Sequence, residues 1–309
     1  MRFGVHLPNM RGYLPFSNIR KIAELAEELG FHALWTSDHL QYPHPYRILG
    51  EPGLYESTSV LSYLAGVTSR VTIGSSVLLP LRHPLLLTSM ITTIDHASNG
   101  RIQMGYGVGW YKPEFANLDL PFSKRGRLAS EQLKIMQLLW TQPLVTFSGE
   151  FYSLKNAEVV PRPVQKPHPP ILIGGSSSKA FERAVEFGSG WMPFSPTLNQ
   201  MKLGIEEIKR IASERKRNLD AFLFYADFQT AIARTKEDAR KGASLIAALR
   251  DSTVEELEPS CLIGDPSTIA KRIEEFLSLG VQQISLEIEP VDSILESVKL
   301  FAKEVAPSF

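Results

Sequence analysis

The chain has 309 residues, with 33 basic and 33 acidic side chains, and so carries no net formal charge. This balance excludes the strongly basic surface with which proteins bind nucleic acid or anionic lipid. The single cysteine, Cys261, excludes an internal disulfide and is typical of a reducing compartment. No apolar run is long enough to cross a bilayer, and the chain begins with a strand pattern rather than a signal peptide. We therefore expect a cytoplasmic protein that binds neither nucleic acid nor membrane.

Strand and helix signals alternate along the chain. Short apolar runs between turn residues predict strands over Arg2–Leu7, His32–Thr36, Val71–Ser76, Arg101–Tyr106, Ile171–Ile173, Gly190–Pro193, Phe222–Ala233 and Val281–Ile288. Apolar residues at helical spacing predict helices over Ser17–Leu29, Ser57–Thr68, Pro84–Ala97, Ser123–Trp140, Lys179–Phe187, Leu198–Arg217, Lys236–Leu249, Pro266–Leu279 and Ser293–Ala302.

One interruption follows the fourth unit of this pattern. Leu144–Leu154 reads as a hairpin, and Pro161–Pro170 is a proline-rich connector. Strands that alternate with helices, in a chain somewhat longer than the ~250 residues of a typical barrel, favour a parallel (β/α)8 fold. We predict an α/β protein, a (β/α)8 TIM barrel with this insertion between its fourth and fifth units, as a single domain over residues 1–309. The alternative is a doubly wound open sheet, but the turn His6-Leu7-Pro8-Asn9 lacks the glycines expected there.

In a barrel of this kind, catalytic residues lie at the carboxyl ends of the strands. The second predicted strand runs into Asp38-His39, a carboxylate beside an imidazole that suits proton transfer. The ordinary alternative is a turn capped by Asp38 and a solvated His39. The third strand runs into Ser76-Val77, a small and a β-branched residue that suit a wall against an aromatic ring, although they also fit plain barrel packing.

Glycine-rich turns follow the next two strands. The segment Gly107-Val108-Gly109 permits close approach of a ligand, or is simply a flexible turn. The segment Gly174-Gly175-Ser176 comes just before a helix, whose amino end and free N–H groups suit a phosphate. A serine N-cap is the alternative reading there. The histidines show no spacing typical of metal ligands, so we expect no metal.

Four segments together resemble the bacterial luciferase-like family of flavin and deazaflavin enzymes. They are LGFHALWTSDHL, VTIGSSVLLPLRHPLLL, IDHASNGRIQMGYGVGW and PPILIGGSSSKAFERAVEFGSGWMP. Within that family the chain is most similar to the branch that uses the deazaflavin coenzyme F420. The resemblance implies a (β/α)8 barrel with an insertion, a small-molecule substrate and a homodimer. The apolar segment Leu133–Trp140 offers a surface for the dimer contact, or is a helix face packed on the barrel.

The resemblance also implies roles for individual residues. His39 is the proton-transfer residue, and Asp38 contacts the cofactor. Ser76 and Val77 match the position at which related deazaflavin enzymes have a cis peptide bond behind the ring. The other implied cofactor contacts are the fourth-strand loop, Gly107, Val108 and Gly109, and the phosphate-contacting turn, Gly174, Gly175 and Ser176.

Two departures from the family pattern bear on cofactor and substrate. Luciferases that use flavin mononucleotide (FMN) have a phosphate-binding arginine where this chain has Val108, and losing such a charge-assisted bond weakens binding by roughly 1.5–3 kcal/mol. This favours F420 over FMN. Sugar-phosphate dehydrogenases of the deazaflavin branch have a glutamic acid where this chain has Trp110, although Glu114 lies near enough in sequence to replace it. The loop after the second strand offers further candidates for the substrate mouth, namely Tyr42, His44 and Tyr46.

Three functions follow from these observations. The first is an F420-dependent oxidoreductase that transfers a hydride between the deazaflavin ring and a small organic substrate. The second is an FMN-dependent monooxygenase that uses reduced flavin and O2 and is supplied by a separate reductase. The third is a non-catalytic flavin-binding protein, which would not need Asp38-His39. The loops contain no diagnostic charged pair, so the sequence leaves the substrate and the direction of hydride transfer open.

Overall fold

The computed structural model describes residues 1–10 and 14–309 and consists of a closed parallel barrel surrounded by helices. Its strands are β1 (Arg2–His6), β2 (Ala33–Thr36), β3 (Thr72–Leu78), β4 (Ile102–Tyr106), β5 (Val145–Ser148), β6 (Ser153–Ala157), β7 (Ile171–Gly174), β8 (Gly190–Met192), β9 (Leu223–Ile232), β10 (Leu262–Gly264) and β11 (Gln283–Ile288). The barrel order is β1-β2-β3-β4-β7-β8-β9-β11, and β11 pairs back to β1. The predicted (β/α)8 barrel is therefore confirmed. The open sheet is wrong, because β8 pairs with β9 and closes the ring.

The helices lie outside the barrel strands and connect them. They are α1 (Phe16–Glu28), α2 (Ser57–Val67), α3 (Pro84–Ala97), α4 (Lys112–Asn117), α5 (Arg125–Thr141), α6 (Ser178–Phe187), α7 (Leu198–Glu214), α8 (Lys236–Leu249), α9 (Val254–Leu257), α10 (Pro266–Ser278) and α11 (Ile294–Glu304). Each predicted helix is present with slightly different ends. In α6, for example, Ala180, Ala184 and Phe187 lie on one face and are buried, which is the spacing that predicted the helix.

The predicted insertion is present between β4 and β7. Strands β5 and β6 form its antiparallel hairpin, which extends beyond the predicted Leu154 to Ala157. Three elements were not predicted, namely β10, α4 and α9, which have 3, 6 and 4 residues. Elements this short leave no periodic signal in a sequence. Strand β10 pairs with the carboxyl end of β9 and is not part of the closed ring.

Large side chains fill the interior of the barrel. Trp35 on β2 is fully buried and meets the ring of Tyr225 on β9 edge to face, at 5.4 Å between ring centroids. Two glycines make room for it: a Cβ at Gly74 would lie 2.5 Å from Trp35 Cζ3, and a Cβ at Gly4 would lie 2.7 Å from Trp35 Nε1. Both glycines are therefore packing residues of the core.

The dimer surface predicted at Leu133–Trp140 is wrong. The apolar side chains of this segment belong to α5 and are at most 1% exposed within the single chain, apart from the half-buried Leu138. They pack against the barrel on one side and beneath the inserted hairpin on the other. The apolar face of α5 is thus already covered by the chain's own core.

Two expectations from composition are also tested. Cys261 is a free cysteine and is buried among the apolar side chains around α8. Within the described ranges, no helix is both long enough and apolar enough to cross a membrane.

The packing of α7 on the barrel predicts a specific steric effect. Gly204 faces the fully buried Trp191, and a Cβ at Gly204 would lie 2.1 Å from Trp191 Cη2. We expect Gly204→Ala to lower the free energy of unfolding by about 1–3 kcal/mol, because overpacking outweighs the better helix propensity of alanine. Urea denaturation measures the change.

Gly66 in α2 is the matched control, because a Cβ there meets nothing within 4 Å. Gly66→Ala should raise the free energy of unfolding by up to about 1 kcal/mol, since alanine loses less backbone entropy on folding. Stabilisation by both substitutions would contradict the described contact between α7 and Trp191.

Candidate active site

A cavity of about 210 Å³ opens at the carboxyl ends of the barrel strands. Its lining includes these predicted site residues: Asp38, His39, Ser76, Val77, Gly174 and Gly175. Asp38 and His39 follow β2, Ser76 and Val77 lie in the last part of β3, and Gly174 and Gly175 lie at the end of β7. The carboxyl ends of these strands meet at one edge of the barrel. A larger cavity, of about 680 Å³, lies between the amino ends of α7, α8 and α10, but none of the predicted residues lines it. Since the predicted polar groups converge on the smaller cavity, it is the candidate active site.

The remaining lining of this cavity is mostly apolar and aromatic. It consists of Met10, Ser37, Tyr46, Leu79, Trp110, Met192, Phe194 and Glu287. Trp110 is 48% exposed and touches His39 and Tyr46 edge to face, at 5.9 Å in both cases. Tyr46 was predicted at the mouth, whereas Tyr42 and His44 are not among the described lining residues. The sequence missed Met192, Phe194 and Glu287, for which the only available signal was a position at or just beyond a strand end.

His39 is held by a buried carboxylate. Its Nδ1 lies 2.9 Å from Oε2 of Glu114, which is only 1% exposed. The other oxygen of Glu114 accepts the backbone N–H groups of Leu40 and Gln41. Glu114 therefore joins α4 to the turn after β2 and fixes the orientation of the His39 ring, and Nε2 is the nitrogen left to face the cavity.

The carboxylate of Asp38 is committed to a buried ion pair. Its oxygens accept hydrogen bonds from Nη1 and Nη2 of Arg82, at 2.9 and 2.8 Å. Oδ2 also accepts a hydrogen bond from the backbone N–H of Leu79 at 2.9 Å. Burial alone would lower the pKa of Arg82, but Asp38 and Glu56 together raise it. A carboxylate with these partners anchors the turn after β3. Because both carboxylate oxygens are occupied, a cofactor would contact Asp38 through its backbone or its other side-chain atoms.

Ser76 connects the cavity to a polar cluster inside the barrel. The peptide bond Ser76–Val77 is cis, as the resemblance predicts. The Ser76 hydroxyl donates to Oδ2 of Asp227 at 2.6 Å. The other oxygen of Asp227 accepts the hydroxyl of Ser285 at 2.9 Å and lies 2.9 Å from Nε2 of His6. Asp227 is fully buried and so ties the Ser76 turn to β1, β9 and β11.

Val77 rests on bare backbone. A Cβ at Gly107 would lie 2.4 Å from Cγ2 of Val77, and a Cβ at Gly105 or Gly174 would lie 3.2 Å or 3.0 Å from its Cγ1. A Cβ at Gly105 would also lie 2.0 Å from the backbone oxygen of Ser75. Gly105, Gly107 and Gly174 therefore make room for Val77, whose side chain forms this part of the cavity wall.

The segment Gly107-Val108-Gly109 does not line the described cavity. Gly109 has a positive φ of 76°, and a Cβ there would lie 2.9 Å from the ring of Phe115. Val108 is partly buried and packs against the main core. The structure thus gives all three residues a packing or turn role, and the guanidinium of Arg125 donates from Nε to the backbone oxygen of Gly109 at 3.0 Å.

The turn after β7 leads directly into α6. Gly175 has a φ of 97° and is exposed, and Ser176 beside it is exposed as well. Ser177 is the N-cap, since its Oγ accepts the N–H of Ala180 at 3.2 Å. The alternative reading of a serine N-cap thus applies to Ser177. Gly175 and Ser176 remain open next to the positive end of the α6 dipole.

Comparison with known proteins defines the class. A family model described as luciferase-like monooxygenase matches residues 1–257. The chain therefore belongs to the luciferase-like family, whose members are oxidoreductases or monooxygenases. It is 26% identical to the FMNH(2)-dependent dimethylsulfone monooxygenase of Pseudomonas putida over 358 residues, covering 99% of this chain and 94% of that protein. An uncharacterized protein of Mycobacterium tuberculosis is 32% identical over 186 residues, covering 55% of this chain and 65% of its own length.

Solved structures share the fold. A monooxygenase from Streptomyces bottropensis superposes with a TM-score of 0.86 at 24% identity, covering 100% of this chain and 99% of that one. An F420-dependent secondary alcohol dehydrogenase superposes with a TM-score of 0.87 at 19% identity, covering 99% of this chain and 98% of that one. At these identities the likeness establishes the barrel architecture alone.

The ion pair beneath the site predicts an acid dependence of stability. Glu56 is the N-cap of α2, and its carboxylate accepts the N–H groups of Thr58 and Ser59 and pairs with Arg82. Burial alone would raise the pKa of Glu56, but these hydrogen bonds and the charge of Arg82 lower it from 4.5 to about 2. Because the pKa is lower in the folded state, the stabilisation is fully present above pH 4.5 and is lost as the pH falls through 2.

We expect Glu56→Gln to unfold at lower urea concentration than the wild type at neutral pH, and the difference to shrink progressively on acidification. Urea denaturation over a pH series measures it. A difference that stays constant across the acid range would contradict the lowered pKa of Glu56.

Proposed function

We propose that this chain is a coenzyme F420-dependent oxidoreductase that transfers a hydride between the deazaflavin ring and a small organic substrate in the barrel-mouth cavity. The observation that carries the proposal is the placement of His39, whose ring lines a cavity walled by Ser76 and Val77 while buried Glu114 holds its Nδ1. The proposed cofactor-binding residues are Asp38, Ser76, Val77, Gly174, Gly175 and Ser176; the other three residues predicted to contact the cofactor are Gly107, Val108 and Gly109.

The chemistry of the lining fits a flat ring with an anionic chain. Val77, Leu79 and Met192 offer the apolar surface on which such a ring can bury its faces. At the β7 edge of the same cavity, Gly175 and Ser176 leave backbone groups open at the amino end of α6, which favours a phosphate. We propose that Gly107, Val108 and Gly109 act indirectly, by supporting Val77 and the loop that carries Trp110.

His39 is the proposed proton-transfer residue. With Nδ1 directed at Glu114, its Nε2 gives a proton to the reacting group or takes one from it at the cavity surface. The cofactor supplies the hydride chemistry when it is bound. Glu114 does not line the described cavity and is almost fully buried, so we assign it a positioning role rather than that of an acid in contact with substrate.

The second candidate is an FMN-dependent monooxygenase that uses reduced flavin and O2 from a separate reductase. The full-length similarity to a protein named as FMNH(2)-dependent favours it. Val108 favours F420, because its side chain packs against the core and brings no charge to the position of the phosphate-binding arginine. A non-catalytic flavin-binding protein is the third candidate, and the commitment of Glu114 to His39 argues against it.

We also propose a homodimer in the cytoplasm, on the family resemblance. The buried α5 segment does not provide its interface, so another face has to. Sedimentation velocity tests the assembly, and a monomer at working concentration would overturn it.

Titration with cofactors tests the proposed function directly. Oxidised F420 added to the purified protein should bind with micromolar affinity and change its absorbance, and FMN should bind more weakly. Fluorescence quenching of each cofactor measures both affinities. Tighter binding of FMN would replace the proposal with the second candidate, and binding of neither would overturn both.

A variant of His39 separates catalysis from binding. His39→Ala should bind the cofactor within a few-fold of the wild type but lose about 10²–10⁴-fold in kcat, because it removes a positioned general acid–base. Cofactor titration gives the affinity. Turnover is measured with the first substrate found for the wild-type enzyme. In the wild type, 15N NMR of His39 should report a protonated Nδ1 in the absence of substrate.

His44→Ala is the matched control, since His44 is exposed on the same loop and does not line the described cavity. It should leave kcat unchanged. Equal losses in the two variants, or full turnover in His39→Ala, would remove the assigned role of His39.

A further inference from the structure

A polar cluster inside the barrel meets the barrel-mouth cavity at Ser76. It consists of His6 at the end of β1, Ser76 on β3, Asp227 on β9 and Ser285 on β11. His6, Asp227 and Ser285 are at most 4% exposed, whereas Ser76 is partly buried and lines the cavity. The proposed function uses Ser76 only as a contact for the cofactor and assigns no role to the titratable side chains of Asp227 and His6.

The carboxylate of Asp227 is surrounded by hydrogen-bond donors. Its Oδ2 accepts the Ser76 hydroxyl at 2.6 Å, and its Oδ1 accepts the Ser285 hydroxyl at 2.9 Å and lies 2.9 Å from Nε2 of His6. Among the residues that the structure describes, His6 is the one basic side chain within ion-pair distance of this carboxylate. Two hydroxyls and an imidazole are partners that stabilise an ionised carboxylate away from water. Asp227 is therefore a buried base whose counter-charge is the protonated form of His6.

Two further titratable side chains face the same cluster, because alternate residues of a strand share a face of the sheet. Tyr225 precedes Asp227 by two residues on β9. Burial raises the pKa of Tyr225, and the charge of Asp227 raises it further, so this phenol stays protonated. Glu287 follows Ser285 by two residues on β11, is 7% exposed and lines the cavity. Negative charge at Glu287 favours the uptake of a proton by the cluster.

Ser76 is the link between Asp227 and the cavity. A hydroxyl donates one hydrogen bond and accepts others at the same time. Because the hydrogen of Ser76 is directed at Asp227, its oxygen lone pairs are what it offers to a group in the cavity. When such a group gives a proton to Oγ, the original Oγ–H bond breaks and an O–H bond forms at Oδ2 of Asp227. One proton has then moved from the cavity to Asp227, no electrons have been transferred, and Ser76 is again a neutral hydroxyl.

We infer that Ser76, Asp227 and His6 form a second proton-transfer route of the active site, which takes protons out of the cavity. This inference rests on the proposed function and extends it. Reduction of a substrate by the bound cofactor takes a hydride and a proton from the ring and adds a hydride and a proton to the substrate. The two protons move at different atoms, so His39 serves the substrate and Ser76 serves the ring. Ser76 is the catalytic residue of this route, and Asp227 and His6 act through it.

Oxidation of the loaded enzyme tests the route without an identified substrate. Protein saturated with chemically reduced F420, or with reduced FMN if that cofactor binds more tightly, is mixed anaerobically with menadione, a quinone that takes up the hydride. Stopped-flow absorbance gives the rate of a single oxidation. In the wild type the rate should fall as the pH is lowered, because the protonated cluster takes up no further proton, and it should be slower in D2O. Asp227→Asn and Ser76→Ala should each be about tenfold slower or more at neutral pH and should lose the fall at low pH.

Ser285→Ala is the matched control, because it removes a hydrogen bond to the same carboxylate from a residue outside the described cavity lining. The route stays open, so the rate at neutral pH should stay within about fivefold of the wild type, a limit set by the net worth of one hydrogen bond. The fall at low pH should move to higher pH, since a carboxylate with fewer donors binds a proton more readily.

A readout without cofactor is the protonation of His6, followed by 15N NMR over a pH series. In Asp227→Asn the imidazole should lose its proton at lower pH than in the wild type, because the neighbouring negative charge is gone. An unchanged titration of His6 would contradict the pairing on which the route depends. Circular dichroism checks that each variant folds.

The outcomes separate this inference from the proposed function. If neither cofactor binds to the wild type, the proposed function fails and the route fails with it. If a cofactor binds and is oxidised at the wild-type rate in Ser76→Ala and Asp227→Asn, the route is wrong while the cofactor proposal stands. Equal losses in these two variants and in Ser285→Ala, or a fall at low pH that persists in Asp227→Asn, would mean that the cluster only supports the cavity wall and would overturn the route as well.

Discussion

The packing of Val77 against bare glycine backbone determines the shape of the barrel mouth. A Cβ on Gly107 or Gly174 would overlap or crowd the valine side chain from two neighbouring strands. Because backbone cannot move aside as a flexible side chain can, this wall has one position. The Ser76 hydroxyl beside it is fixed in turn by Asp227, which is fully buried. The surface that faces the cavity is thus rigid before any ligand arrives, which lowers the entropic cost of binding a rigid ring.

Buried carboxylates orient the polar groups around this wall. Asp38 is held by Arg82, Glu114 by His39, and Asp227 by Ser76 and Ser285. Each carboxylate joins segments that are distant in sequence. Such pairs contribute little net stability, because desolvation offsets most of the attraction. Their value lies in orientation, since a hydrogen-bonded network with every partner satisfied admits one arrangement.

The sequence predicted the barrel because parallel strands buried on both faces are apolar and regularly spaced, and it located His39, Ser76 and Val77 because strand ends converge in such a fold. It could not identify Asp227, since a charged residue inside a strand reads as a surface position until its neighbours are known. The glycines of the fourth-strand loop were read as space for a ligand or as a flexible turn, and the structure shows that Gly107 makes room for Val77 and Gly109 for Phe115. Local patterns specify where the backbone must be bare, and only the fold reveals what occupies the gap.

Asp38 and Asp227 are committed to internal partners, and aromatic side chains form much of the exposed rim of the cavity. Trp110 and Phe194 are 48% and 50% exposed at the cavity, which is unusual for rings of this size in a packed protein. These rings offer apolar surface, while Glu287 lines the same cavity and the guanidinium of Arg250 lies 5.6 Å from the centroid of the Phe194 ring, so the mouth presents apolar and charged groups side by side.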